Sequence, residues 1–328
     1  MPAARRWHTP QVRAADHPNP FLGIKARPLV VGHRGVPTLH QENTLAGFRR
    51  AVELGVPAIE LDVRLTADRQ VVVLHDHNLR RLTGSSFDSD HLSWDQLSRL
   101  RIRRELPMGI DTHGAPVVVR YEREERIPLL AEVLAEVGGK LAINIEIKVD
   151  VPRWWGLEIV THVAEVLAAA HATHRVIVTS FDVFKLRALG RLLPGLARGF
   201  CFDDTMLDFA QPVIERLPAL APTLPASHGP IAPPRRYLTR LLESHLVGRL
   251  LGTRLVGAEH TLIGEGTVQR LHARGVAIGT HTLFPIGSTN GKPLSPTANT
   301  DDEARRLVDL GVDWIESDDP ARLLPLVG

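Results

Sequence analysis

Residues 28–76 read PLVVGHRGVPTLHQENTLAGFRRAVELGVPAIELDVRLTADRQVVVLHD, and the alternation inside this stretch decides the fold. It opens on a β-rich apolar run, Pro28–His33, that ends in polar residues. Leu45, Phe48, Val52 and Leu54 then form an apolar stripe at helical spacing. Asn43 or Thr44 supplies an N-cap and Gly55 a stop. Ala58–Leu65 is a second β-rich run, and Val71–Leu74 is a further extended piece. Strand, helix and strand in this order form the repeating unit of a parallel α/β fold.

Outward from there the alternation continues. Helices are expected at Leu129–Val137, Gly156–Ala170, Val183–Leu192, Gly266–Arg274 and Asp301–Leu310. Strands are expected at Leu141–Ile147, Arg175–Ser180, Leu196–Phe202, Arg254–Ala258, Val276–His281 and Val312–Glu316. About eight main strands separated by helices fit an α/β (β/α)8 TIM barrel over residues 28–328, preceded by an N-terminal arm, 1–27. A small insertion follows the second strand, at about 85–127; it is rich in Ser, Asp, Arg, Gly and Pro, with a short helix near Trp94–Leu100. A longer helical insertion, about 203–253, precedes the sixth or seventh strand; it joins a Pro-rich stretch to one helix around Tyr237–Leu250. A doubly wound sheet is the competing architecture, and the strand count and the placement of polar residues weigh against it. No fixed-period repeat suggests a solenoid.

Composition narrows the class. The 328 residues are 44% hydrophobic and 23% charged, the balance of a globular chain large enough to bury a core without disulfides. Cys201 is the single cysteine, which excludes an intrachain disulfide and a cysteine-cluster metal site. A net charge of +2 gives no argument for nucleic acid as a partner. The N-terminal arginines precede no apolar run and no stretch is long enough to span a bilayer, so a cytoplasmic location is expected, with peripheral membrane contact and oligomeric state left open. Only five of the 39 basic residues are lysines, which draws attention to Lys148.

Barrels of this kind gather functional groups at the C-terminal ends of their strands. The first strand ends in His33-Arg34-Gly35, the second carries Glu60-Leu61-Asp62, the extended piece ends in His75-Asp76, and the third strand carries Glu146-Ile147-Lys148. Side chains alternate across a strand, so Glu60 and Asp62 share one face, as do Glu146 and Lys148. Three interior carboxylates repel one another unless a cation joins them. An all-carboxylate set suits one hard divalent cation, Mg²⁺ or Ca²⁺, with Mn²⁺ a further candidate. Arg34 and Lys148 suit the oxygens of a phosphate diester, and His33 and His75 suit general acid–base work near neutral pH. His281 ends a strand on the same rim and is read as a pocket-lining group for the substrate.

In these residues the sequence resembles the glycerophosphodiester phosphodiesterase family. The resemblance runs through Gly32-His33-Arg34-Gly35, Glu42-Asn43-Thr44-Leu45, Ile59-Glu60-Leu61-Asp62-Val63, His75-Asp76 with Thr83-Gly84, Asn144-Ile145-Glu146-Ile147-Lys148, Ser180-Phe181-Asp182 and Gly311-Val312-Asp313. It implies a TIM-type barrel that hydrolyses a small-molecule glycerophosphodiester to sn-glycerol 3-phosphate and an alcohol. It also implies metal roles for Glu60, Asp62 and Glu146 and acid–base roles for His33 and His75. Three stretches depart from the family pattern, one of them the segment after His75, which reads Leu79-Arg80-Arg81-Leu82 and matches only in part. The seventh strand commonly carries Trp-Thr-x-Asn, and here reads Gly279-Thr280-His281-Thr282; the last strand has Trp314 where glycine is usual, and Asp318-Asp319-Pro320 follows it.

Blander readings stand beside these. Glu60 and Asp62 could hold a buried arginine, and Lys148 could be an interior salt-bridge partner. Glu42 is read as orienting Arg34 at the helix start, and Asp76 as positioning His75 or its loop. Trp154 and Trp155 could line the mouth or pack on the insertion. Two rival functions remain. One is a phospholipase of C type or sphingomyelinase D type, using an apolar rim made from Tyr237, Leu238, Leu241, Leu242, Leu246, Leu250 and Leu251. The other is a non-catalytic phosphodiester-binding barrel.

Overall fold

Pairing in register brings the apolar runs together as a closed ring. In the computed structural model, which describes residues 19–23, 25–148, 156–204, 206, 233–289 and 293–328, eight strands pair in parallel. In ring order they are β1 (Leu29–Gly32), β2 (Ala58–Leu65), β6 (Ala142–Ile147), β7 (Val176–Ser180), β8 (Ala197–Phe202), β9 (Leu255–Glu259), β10 (Ala277–Leu283) and β11 (Trp314–Ser317), which closes on β1. The fold is the (β/α)8 barrel. β3 (Val71–Val73) adds antiparallel to the end of β2. The helices Leu45–Glu53, Leu130–Val137, Glu158–Ala169, Val183–Leu192, Glu265–His272 and Asp301–Leu310 lie between strands, and their buried residues join one core with the outward faces of the strands. Thr44 caps the first of them, its hydroxyl accepting from the Gly47 amide.

The segment between β3 and the helix Leu130–Val137 is more ordered than its composition suggests. Besides the short helix Trp94–Ser98 it contains an antiparallel hairpin, β4 (Glu105–Ile110) and β5 (Pro116–Arg120). A separate apolar cluster supports it, including Leu74, Leu82, Leu97, Leu106 and Ile127. The Tyr121 hydroxyl donates to the Pro37 carbonyl (2.6 Å), and Ile110 and Ser288 exchange two backbone hydrogen bonds. The hairpin is thereby tied to the loops after β1 and β10, beside the mouth of the barrel.

The helix expected around Tyr237–Leu250 is two helices, Pro233–Ser244 and Leu246–Leu251. His245 between them has φ 51°, a left-handed conformation that no helix continues through. Leu238, Leu242 and Leu251 are buried, whereas Leu246 and Leu250 are exposed. Most of the arm 1–27, Trp154, Trp155 and residues 207–232 of the helical insertion lie outside the described residues. No described helix is long and apolar enough to cross a membrane.

Two of the departures from the family pattern, on the seventh and last strands, turn out to face each other. Gly279 of β10 and Trp314 of β11 are register partners. A Cβ placed on Gly279 would lie 1.7 Å from Trp314 Cε2, so the indole occupies the space that glycine leaves. Trp314 closes the base of the barrel with Phe21, whose ring meets it edge-on at 5.8 Å. The tryptophan that strand seven lacks has its counterpart across the ladder. Trp314→Gly is expected to destabilise by about 3–5 kcal/mol through the cavity it opens, and Gly279→Trp alone by overpacking. The double exchange should recover much of both losses, giving a coupling of roughly 1–3 kcal/mol in a denaturant double-mutant cycle. Additive losses would show that the two positions do not compensate.

Candidate active site

Register explains why the acidic residues converge. Asp62 on β2 pairs with Glu146 on β6, and Glu60 pairs with Asn144. Glu60, Asp62 and Glu146 each present an oxygen within 4.8 Å of the others. Lys148 Nζ approaches Glu146 at 2.8 Å and Asp62 at 3.4 Å. Asn43 fixes Asp62 reciprocally, Nδ2 donating to Oδ2 (2.8 Å) and Oδ1 accepting from the Asp62 amide (3.2 Å).

The turn after β1 aims further groups at this cluster. Gly32 has no room for a side chain, since a Cβ would lie 2.2 Å from the Gly35 carbonyl oxygen. Arg34 has φ 55°, and in this left-handed pose its amide donates to Glu60 Oε2 (3.0 Å). Its guanidinium lies 3.2 Å from Asp62 and donates to Glu42 (3.1 Å). His33 approaches Glu60 through Nε2 at 3.9 Å and bonds Asp318 through Nδ1 at 2.6 Å. His75 bonds Asp76 through Nδ1 at 2.8 Å.

Arg81 completes a layer behind these groups. It donates to both oxygens of Glu42 and both of Asp76, at 2.6–3.1 Å. Glu42, His75 and Asp76 have the spacing of a metal site, but the Arg81 guanidinium already satisfies their carboxylates. Burial raises the Glu42 pKa, yet Arg81 and Arg34 outweigh it and hold Glu42 at about 2. Burial, with Arg34 and Lys148 close by, lowers His75 to about 4, so its imidazole is neutral at pH 7.

Glu60 behaves in the opposite way. Burial first, then repulsion from Asp62, Glu316 and Glu146, pushes its carboxyl well above the usual range, with Arg34 opposing. Its Oε1 is buried and has no hydrogen-bond partner among the described residues. An uncompensated buried carboxylate costs several kcal/mol, so this oxygen calls for a cation. The all-oxygen set Glu60, Asp62 and Glu146 therefore fits a hard divalent ion.

A cavity of about 740 Å³ opens over these groups, lined among others by His33, Arg34, Glu42, His75, Glu146 and Lys148. Glu60, Asp62 and Asp76 lie just behind it, linked to the lining residues by the bonds above. His281 also lines it, but from β10 on the far side of the ring, 3.6 Å from Glu259, rather than beside Arg34 and Lys148. Burial lowers His281 to about 4. Sequence reasoning missed the contacts of Arg81, Asp318 and Glu316. Asp318 was visible only as part of the Asp318-Asp319-Pro320 run after the last strand.

A parallel barrel whose rim gathers three carboxylates, two histidines, an arginine and a lysine around one cavity is the scaffold of a barrel phosphodiesterase. Residues 33–322 match the model of the Glycerophosphoryl diester phosphodiesterase family, and the chain belongs to that family. It is similar to a glycerophosphodiester phosphodiesterase of Caldanaerobacter subterraneus subsp. tengcongensis, 34% identical over 182 residues, which is 55% of this chain and 69% of that one. Part of it is similar to a human lysophospholipase D, 37% identical over 120 residues, 37% of this chain and 36% of that one. Among solved structures, an Oleispira antarctica phosphodiesterase in complex with the product sn-glycerol-3-phosphate superposes with a TM-score of 0.61 at 21% identity, covering 92% of this chain and 97% of that one. A glycerophosphodiester phosphodiesterase of Agrobacterium tumefaciens gives a TM-score of 0.59 at 19% identity, covering 91% and 99%. These two likenesses show the shared barrel.

Proposed function

We propose that the protein hydrolyses glycerophosphodiesters to sn-glycerol 3-phosphate and an alcohol, using a divalent cation held by Glu60, Asp62 and Glu146. The observation that carries this reading is the unpartnered Glu60 oxygen inside a carboxylate trio, next to two carboxylate-bound histidines and two cations in one cavity. The oxygen donors favour Mg²⁺, Ca²⁺ or Mn²⁺ over zinc. A cation bound there polarises the phosphoryl group and offsets the charge that develops on it.

The protein groups divide the remaining work. Arg34 and Lys148 hold the non-bridging oxygens. His75 is the base. Burial, with Arg34 and Lys148 close by, keeps its ring neutral while Asp76 holds Nδ1, so Nε2 accepts a proton from the attacking hydroxyl. His33 is the acid. The Asp318 carboxylate at its Nδ1 stabilises the imidazolium, and Nε2 gives its proton to the departing alcohol. If the attacking hydroxyl belongs to the glycerol moiety, a cyclic phosphate forms and water opens it, with the two histidines exchanging roles. Asp318, Asp76 and Glu42 are positioning residues.

The test is a panel of glycerophosphocholine, glycerophosphoethanolamine, glycerophosphoinositol and a lysophospholipid, given to chelated protein resupplied with Mg²⁺, Ca²⁺ or Mn²⁺. Glycerol 3-phosphate released from the soluble diesters only after metal is restored is the expected result. Turnover of the lysophospholipid alone would move the function to a lipase, and ligand binding with no turnover would favour a non-catalytic barrel.

A further inference from the structure

The inserted hairpin is built to grip the loop that follows β10. Pro107 pairs with Val118 and Gly109 with Val117, so Met108 is a bulge with no register partner on β5. Gly109 takes φ 90° at this point, a conformation that favours glycine, and the bulge turns the strand edge outward. Ile110 then gives both of its main-chain groups to Ser288. Its amide donates to the Ser288 carbonyl (3.0 Å) and its carbonyl accepts from the Ser288 amide (2.9 Å). Neither crossing has room for a side chain. A Cβ on Gly109 would lie 1.9 Å from the Ser288 carbonyl oxygen, and one on Gly287 would lie 2.2 Å from the Met108 carbonyl oxygen. Ile286 adds an apolar contact with the cluster that supports the hairpin.

The same loop reaches His33 on its other side. The Ile286 amide donates to Asp318 Oδ2 (2.9 Å), and Asp318 Oδ1 accepts from His33 Nδ1 (2.6 Å). Asp318 is buried, and its two oxygens are thus divided between the loop and the imidazole. A carboxylate held at one oxygen can swing about its own side chain. Held at both, it presents a single direction to the ring that it orients. The chain of contacts runs without a gap from the hairpin through Ser288, Ile286 and Asp318 to His33.

We infer that the hairpin is a positioning element for His33. The clasp of Gly109 and Ile110 on Gly287 and Ser288 fixes the loop, the Ile286 amide then fixes Asp318, and Asp318 sets the imidazole. Gly109 and Gly287 are positioning residues by virtue of lacking a side chain. The inference rests on the phosphodiesterase reading, in which His33 gives its proton to the leaving alcohol, and assigns the insertion a part in that step.

The test is Gly287→Ala, whose methyl group pushes the loop away from the hairpin. With glycerophosphocholine and metal-loaded enzyme, kcat should fall by about tenfold or more while KM stays within about twofold. The low-field proton resonance of His33 Nδ1–H, recognised by its loss in His33→Ala, should shift or broaden in the variant, and this readout needs no turnover. Gly109→Ala presses on the same contact from the hairpin side and should give the same result, which keeps the test open if one variant fails to fold. Gly114→Ala is the control. Gly114 sits in the hairpin turn at φ 82° with no atom near the added methyl, so that change should lower the melting temperature yet leave kcat and the resonance as they were. A lowered melting temperature in Gly287→Ala with kcat and the resonance unchanged overturns the inference, as does a raised KM at constant kcat. A resonance displaced in the variant, with no hydrolysis by wild-type protein, keeps the clasp and overturns the hydrolase reading.

Discussion

Replacing His33 by alanine should lower kcat for glycerophosphocholine by about 10²–10⁴-fold, the usual contribution of a positioned acid or base. His33 spends its Nδ1 on Asp318 and turns Nε2 toward Glu60 at the cavity edge. On the proposed mechanism its loss removes the proton donor to the leaving alcohol while the barrel core is untouched, so the melting temperature should change little. Asp318→Asn tests the same reading from behind. It keeps the contact but loses the charge that supports the imidazolium, so kcat should fall with little change in KM, by less than in His33→Ala. Asp318 Oδ2 also accepts from the Ile286 amide, so Asp318→Ala would disturb the loop after β10 as well. An unchanged kcat in His33→Ala would remove His33 from the chemistry.

Glu60→Gln should abolish stabilisation by metal. A ligand that binds only the folded chain stabilises it by about 2.7 kcal/mol at a hundred times its Kd, which for a barrel of this size raises the melting temperature by roughly 5 °C. Wild-type protein should show that rise with the activating cation. The variant should lose it and turn over roughly 10²–10³-fold more slowly. Without metal the order should invert. Glu60 is buried among like charges, with Asp62, Glu316 and Glu146 opposing its ionisation. The neutral amide therefore should leave the metal-free variant at least as stable as metal-free wild type. A full metal-induced rise in Glu60→Gln would show that the trio is not the site.

The features legible in the sequence were those in which one short segment carries its own geometry. Glu60 and Asp62 are two apart on a strand, so they must share a face, and the same holds for Glu146 and Lys148. Strand ends on a barrel rim made His33, His75 and His281 candidates before any contact was known. What stayed hidden depends on partners far apart in the chain. Asp318 meets His33 across 285 residues, and Arg81 meets Glu42 across 39. Neither motif announces the other. The hairpin Glu105–Arg120 was obscured because its alternation faces a small second core rather than the barrel. The break at His245 has no proline or glycine to mark it. The Trp314 and Gly279 changes looked independent until the register placed them side by side.

The measurement that tests the account most directly is ³¹P NMR of glycerophosphocholine incubated with metal-restored protein. The account predicts that the diester resonance is replaced by that of sn-glycerol 3-phosphate, with free choline released and no change in the chelated sample. Phosphocholine and glycerol as products, or the same conversion in the presence of chelator, would contradict it.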